Sequence, residues 1–151
     1  MEKNNKRGVT LLETVIAMAL FVIISVASYM TCDFALKTQK NSEIKNFFTQ
    51  EVENIAMCYY KSDNEVETFE NALLFSFNKE NAENYFEYTL TTDEFEAETI
   101  THITFFYNSS LSLLAKENKE NAKYKIVFDF DSSKITAIST KKNNIVFERQ
   151  V

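Results

Sequence analysis

Residues 6–30 read Lys6-Arg7-Gly8-Val9-Thr10-Leu11-Leu12-Glu13, followed by an uncharged, largely apolar run from Thr14 to Met30. Gly8 is the only glycine in 151 residues, and it stands where a basic leader meets the apolar segment. Glu13 is the only charged residue from Val9 to Cys32. A carboxylate at the centre of a membrane helix costs about 2.5–3.5 kcal/mol on insertion scales, so a lone one asks for a reason. As a helix, the 24 residues Val9–Cys32 extend ~36 Å, enough to cross a bilayer core of about 30 Å. Ala17, Ala19, Ser25, Ala27 and Ser28 are small and spread along this run. They let a second helix approach closely.

Lys6-Arg7-Gly8, Val9, the Thr10-Leu11-Leu12-Glu13 run and the apolar segment behind it closely resemble the amino-terminal signal of type IV pilins and pseudopilins. The resemblance covers about Lys6 to Met30. It differs at Val9, where the family more often has phenylalanine. It implies that the leader 1–8 is cut after Gly8 by a membrane-bound prepilin peptidase acting in trans. Lys6 and Arg7 would be leader-recognition residues, Val9 the new first residue and the site of N-methylation. Glu13, fifth in the processed chain, would meet the Val9 amine of a neighbouring subunit during assembly. An ammonium and a carboxylate buried together offset part of each other's desolvation. The further partners implied are other pilin or pseudopilin subunits, an assembly platform protein and a cytoplasmic assembly ATPase. Gly8 suits the cut, because a residue without a side chain enters a narrow active site unhindered.

The charge is uneven. The first eight residues hold Lys3, Lys6 and Arg7 against Glu2, whereas the rest has 13 basic residues against 21 acidic. A basic leader favours retention on the cytoplasmic side with the body exported. An ordinary signal peptide is cut behind its apolar region, near small residues such as Ala27-Ser28. The acidic body argues against broad nucleic-acid binding, which needs clustered Lys and Arg; Lys141-Lys142 is a local basic pair within it.

The helix is expected to continue past the apolar segment. Residues 33–61 contain no Gly or Pro, and Ile44, Phe48, Val52, Ile55 and Tyr59 recur at spacings of four, four, three and four. That is one apolar face. Residues 37–43 are polar on all sides and form a neck. Ser62-Asp63-Asn64 ends the helix and caps the next. Phe69, Leu73, Leu74 and Phe77 predict a short helix over about 65–80, then a polar linker to Asn84.

From Tyr85 the period becomes two. Phe86, Tyr88 and Leu90 alternate, 99–107 is rich in Thr, Ile and Phe, and Ile126, Phe128 and Phe130 alternate again. These predict strands. Residues 108–122 read as loop, with a helical turn over 111–115. Residues 135–140 and 145–149 complete a meander, with turns at 131–134 and 141–144. In the second turn Asn143-Asn144 replaces glycine, since Asn tolerates positive φ. Residues 63–151 hold ten phenylalanines, ample for a small core.

Other residues carry less. His102 is the only histidine, and one His makes no zinc site without further ligands. Asp129-Phe130-Asp131 resembles part of a calcium loop, but the Gly and distal Glu of such a loop are absent, so a hairpin turn is expected. Asn108-Ser109-Ser110 is a glycosylation triplet of the kind that arises by chance. Cys32 and Cys58 are 26 positions apart, ~39 Å along one helix, whereas a disulfide needs Cα atoms within about 7 Å. Both read as small buried apolar residues.

The expected fold is α+β: a long amino-terminal helix, transmembrane in its first half, packed by its second half on a small antiparallel sheet. The divisions are a leader 1–8, a hydrophobic span 9–32, an amphipathic continuation 33–61 and a globular head 62–151. The expected function is that of a structural subunit, a minor pilin or pseudopilin. It would sit in the cell membrane with its head outside, then enter an extracellular filament. No catalytic group, cofactor or metal is expected. The competing reading is a single-pass, signal-anchored surface protein that binds or senses and never polymerises.

Overall fold

The computed structural model describes residues 5–62, 66–78, 80–81, 84–92 and 98–151. One helix, α1, runs Asn5–Lys61, 57 residues without a break. It begins inside the leader 1–8. Gly8 is the weakest helix former in Asn5–Gly8, at a cost of roughly 0.5–1 kcal/mol relative to alanine. The chain divides into two compact units, Met1–Ser42 and Glu43–Val151.

In the first unit every described side chain, from Thr10 to Ser42, is exposed. Leu11, Val15, Met18, Phe21, Ile23 and Tyr29 are among its large exposed apolar groups. The helix reaches a mean hydropathy of 2.3 in its apolar part, so by length and composition it can cross a membrane. Cys32 lies here and is exposed rather than buried, because no other element of the unit covers it.

The second unit is the remainder of α1 laid along a sheet. Helix α2 spans Val66–Ser76, and the strands are β1 Phe86–Thr92, β2 Glu98–Tyr107, β3 Leu113–Leu114, β4 Tyr124–Asp129, β5 Lys134–Ser139 and β6 Asn144–Gln150. The order is β1-β2-β4-β5-β6, all antiparallel, with β3 on β2 alone. The inward face follows the alternation seen in the sequence: Ile103, Phe105 and Tyr107, then Ile126 and Phe128, then Ile135 and Ala137. Against them α1 buries Phe48, Val52, Ile55 and Ala56, and α2 buries Phe69 and Leu73. Each such fully buried large side chain contributes about 1.5–3 kcal/mol by transfer.

Aromatic contacts fix the direction of α1. Phe48 meets Tyr124 at 5.1 Å and Tyr107 at 5.5 Å between ring centroids. Three turns later Tyr59 meets Phe128 at 4.9 Å and Phe69 at 5.7 Å. The helix therefore begins to pack at the end of the sheet where β2 finishes and β4 starts. It finishes at the opposite end. The hydroxyl of Ser62 bonds the Tyr59 carbonyl at 2.7 Å and closes α1; Asp63 and Asn64, expected to cap the next helix, lie outside the described residues.

Three details depart from or sharpen the expected layout. The helical turn over 111–115 is replaced by Leu111 at φ 61° and the short strand β3, and a 3-10 helix follows at Lys116–Asn121. Asn108 organises that loop, its side-chain oxygen accepting from the Ser110 and Ser112 amides at 2.9 and 3.0 Å. The register shifts between Thr89 and Leu90, and Thr101, left unpaired on β2, donates its hydroxyl to the Thr89 carbonyl at 3.0 Å. Asn143 adopts φ 50° in the last hairpin, as expected where glycine is missing.

Candidate processing and assembly site

Gly8, Val9 and Glu13 all lie on α1. Positions 9 and 13 are four apart, so they stand one above the other on the same side of the helix. Glu13 is exposed and, among the described residues, forms no ion pair. The other polar groups of the segment are handled differently. Thr14 turns its hydroxyl back to the Leu11 carbonyl at 2.9 Å. Ser25, Ser28 and Thr31 each donate to the carbonyl four residues earlier at 2.8 Å. Back-bonding of this kind hides a hydroxyl against its own helix. Glu13 has no such option, since a carboxylate has no proton to donate to a carbonyl.

A peptidase needs extended backbone, so cutting after Gly8 requires the first turns of α1 to open. Gly8 is where opening costs least, because glycine regains the most backbone freedom on leaving a helix.

In the head, polar residues tie α1 to the sheet. The Tyr107 hydroxyl donates to Glu51 Oε2 at 3.3 Å. Burial raises the pKa of both groups, and the neighbouring Glu51 charge pushes that of Tyr107 further up. Arg149 on β6 pairs with Glu53 of α1. Sequence reading missed both pairs, whose partners are far apart in the chain. The available signal was local: Glu51 and Glu53 flank Val52 on the packed face, and Arg149 shares the inward strand parity of Phe147.

His102 behaves as a half-buried strand residue, with Nδ1 3.0 Å from Thr101 Oγ1 and Nε2 3.7 Å from Asp129 Oδ2. Asp129 serves the hairpin turn. It accepts from the Ser132 hydroxyl at 2.7 Å, and from the Asp131 and Ser132 amides at 3.0 and 3.2 Å. The Ser132 bond above all holds its carboxyl below the ordinary range. Among the described residues no three His, Cys, Asp or Glu side chains gather as a metal site would require. Between α1 and α2 a groove of about 310 Å³ is lined by Met57, Cys58, Lys61 and Phe75, among others. Burial pushes the Cys58 thiol up, away from the reactive thiolate.

The prokaryotic N-terminal methylation motif matches residues 3–29. This is the motif of type IV pilin and pseudopilin precursors, and the chain carries it on an apolar helix ahead of an α+β head of pilin-like layout. The motif implies processing by a prepilin peptidase and partners of the pilin type, and with the apolar helix it fits membrane anchoring. No curated protein and no solved structure matches the chain.

Proposed function

We propose that this protein is a structural subunit, a minor pilin or pseudopilin, of a type IV pilus-like filament. The observation that carries the reading is one matched motif on a helix whose residues 10–32 expose an apolar surface with a single carboxylate, Glu13. Lys6 and Arg7 present the leader to prepilin peptidase, which cuts between Gly8 and Val9, and Val9 is then N-methylated. The leader 1–8 is lost, 9–32 anchors the chain and later enters the filament core, 33–61 leads into the head, and 62–151 forms the filament surface. The precursor spans the membrane once with the head outside. An assembly ATPase and a platform protein supply the work of extraction.

Glu13 selects the neighbour. In a hydrocarbon surround its charge is costly, and a methylated Val9 amine keeps the positive charge that offsets it. A subunit seated with its Val9 amine at Glu13 of its neighbour relieves both charges at once.

The test is the intact mass and amino-terminal sequence of the full chain, expressed with and without a prepilin peptidase. A product beginning at Val9, formed only with the peptidase, is expected. A chain still beginning at Met1, while a control substrate is cut, would favour the signal-anchored monomer. A cut near Ala27 would mean ordinary secretion.

A further inference from the structure

The head is acidic as a whole, but its charges are not evenly placed. At the end of the sheet where α1 begins to pack, the turn between β5 and β6 presents Lys141 and Lys142. Lys123 is beside them: its carbonyl accepts from the Thr140 amide at 2.9 Å, and the Thr140 hydroxyl bonds the Ala122 carbonyl at 2.7 Å. The next residue, Tyr124, packs on Phe48 of α1 at 5.1 Å, and Lys45 is three residues before Phe48. Lys45, Lys123, Lys141 and Lys142 are all exposed. None of the four forms an ion pair among the described residues, whereas Lys119 pairs with Glu87 and Lys134 with Glu148.

The opposing charges nearby are few. Glu43 is exposed, and Glu51 is half-buried under the Tyr107 hydroxyl. The 3-10 helix Lys116–Asn121 contributes Lys116 and Lys119 against Glu117 and Glu120, and Glu87 of β1 pairs with Lys119, which leaves that side one charge negative. At the far end the hairpin carries Asp129 and Asp131 instead. Four unpaired lysines thus collect at one end of a body whose other charges are mainly negative.

That end is also where the chain arrives from the apolar span. Ten residues, 33–42, separate Cys32 from Glu43; they hold Lys40 and the Asp33–Lys37 ion pair. Ten residues reach at most about 35 Å, so chain connectivity alone holds Glu43 within that distance of Cys32 when the span is inserted. We propose that Lys45, Lys123, Lys141 and Lys142 form a docking surface for the anionic headgroups of that bilayer, holding the head on the membrane before assembly. The proposal rests on membrane anchoring by residues 9–32. Lysines near an anionic surface contribute independently of sequence, and the attraction fades within a Debye length.

The experiment uses the full, unprocessed chain in nanodiscs of phosphatidylcholine alone, or with about 30 mol % phosphatidylglycerol, a fraction that gives a strongly negative surface. The readout is the acetylation rate of each lysine, with exposed Lys61 at the far end as the internal reference. Slowing of Lys45, Lys123, Lys141 and Lys142 by about fivefold or more is expected in the anionic discs, the factor one lysine contributes near such a surface. Lys61 keeps its rate. The slowing disappears in about 1 M NaCl, where the Debye length is about 3 Å. In the K123Q/K141Q/K142Q variant, Lys45 returns to its rate in neutral discs.

Equal rates in the two bilayers overturn the proposal. Protection that is present in both bilayers and grows with the number of chains per disc also overturns it, and assigns the surface to the acidic side of a second copy. Hydrogen exchange of residues 10–32 separates a failure of the underlying reading: free exchange there means that the span is not inserted.

Discussion

Tyr107, at the end of β2, donates its hydroxyl to Glu51 of α1 across 56 residues of chain. The bond couples the helix to the second strand of the sheet at a place where neither group is well hydrated. Glu51 is left partly desolvated with one protein partner, and its carboxyl titrates above its ordinary value of about 4.5.

A pH dependence follows from that shift. A carboxyl whose folded pKa is raised binds its proton more tightly in the native state, so its contribution to stability is greatest below about pH 4.5 and declines as pH rises through the folded pKa. Glu51→Gln is expected to flatten the loss of thermal stability as pH rises above about 4.5, as read by near-ultraviolet circular dichroism of the detergent-solubilised chain. Tyr107→Phe leaves Glu51 without its partner and is expected to cost about 1–2 kcal/mol at pH 7.

The pair between Glu53 and Arg149 clips β6, the edge strand, to the helix. Both groups retain solvent contact, so Arg149→Ala is expected to cost only about 0.5–1 kcal/mol. A double-mutant cycle with Glu53→Ala in urea unfolding checks it. A coupling indistinguishable from zero would show that the pair is not a stabilising one.

Asn143 holds φ 50° in the hairpin between β5 and β6. A β-branched residue is poorly suited to that conformation. Asn143→Val is expected to destabilise by about 1–2 kcal/mol, while Asn143→Gly stays near neutral. Thermal melts of the two variants side by side decide the point.

At Glu13, substitution should separate processing from assembly. Glu13→Ala is expected to leave the cut after Gly8 intact, because the change lies beyond the residues that contact the peptidase in this reading. Filament material in the sheared surface fraction is expected to fall at least about tenfold, the factor that corresponds to about 1.4 kcal/mol. Normal filaments from this variant would remove Glu13 from the assembly mechanism.

Much of the fold was legible in the sequence for simple reasons. With no proline and one glycine, nothing stops α1 between Val9 and Ser62, and the spacing of Phe48, Val52, Ile55 and Tyr59 names its packed face. Alternation at Phe86–Tyr88 and Ile126–Phe128 places the strands, since the side-chain period of two is set by the pleat. The loop after β2 was not legible. Leu111 takes a left-handed conformation that leucine does not favour, offset by the Asn108 bonds across the loop and by the pairing of Leu113 and Leu114 with Tyr107 and Phe106. The ties from Glu51 and Glu53 to the sheet were hidden for the same cause: they depend on which strands end beside α1, and local pattern carries no such information. For the candidate site the reverse holds. Gly8, Val9 and Glu13 are contiguous in sequence, and so the motif was readable without any fold.

The back-turned hydroxyls of Thr14, Ser25, Ser28 and Thr31 have one more implication. With those groups and the helical amides bonded within α1, swapping lipid neighbours for protein neighbours breaks none of these bonds. Ring and methyl contacts are traded for others of the same kind, so the segment is nearly indifferent to which oily medium it occupies. The sole preference is registered at Glu13. In the proposed assembly, that carboxylate is the one group along 10–32 by which an otherwise anonymous greasy rod can be told from its surroundings.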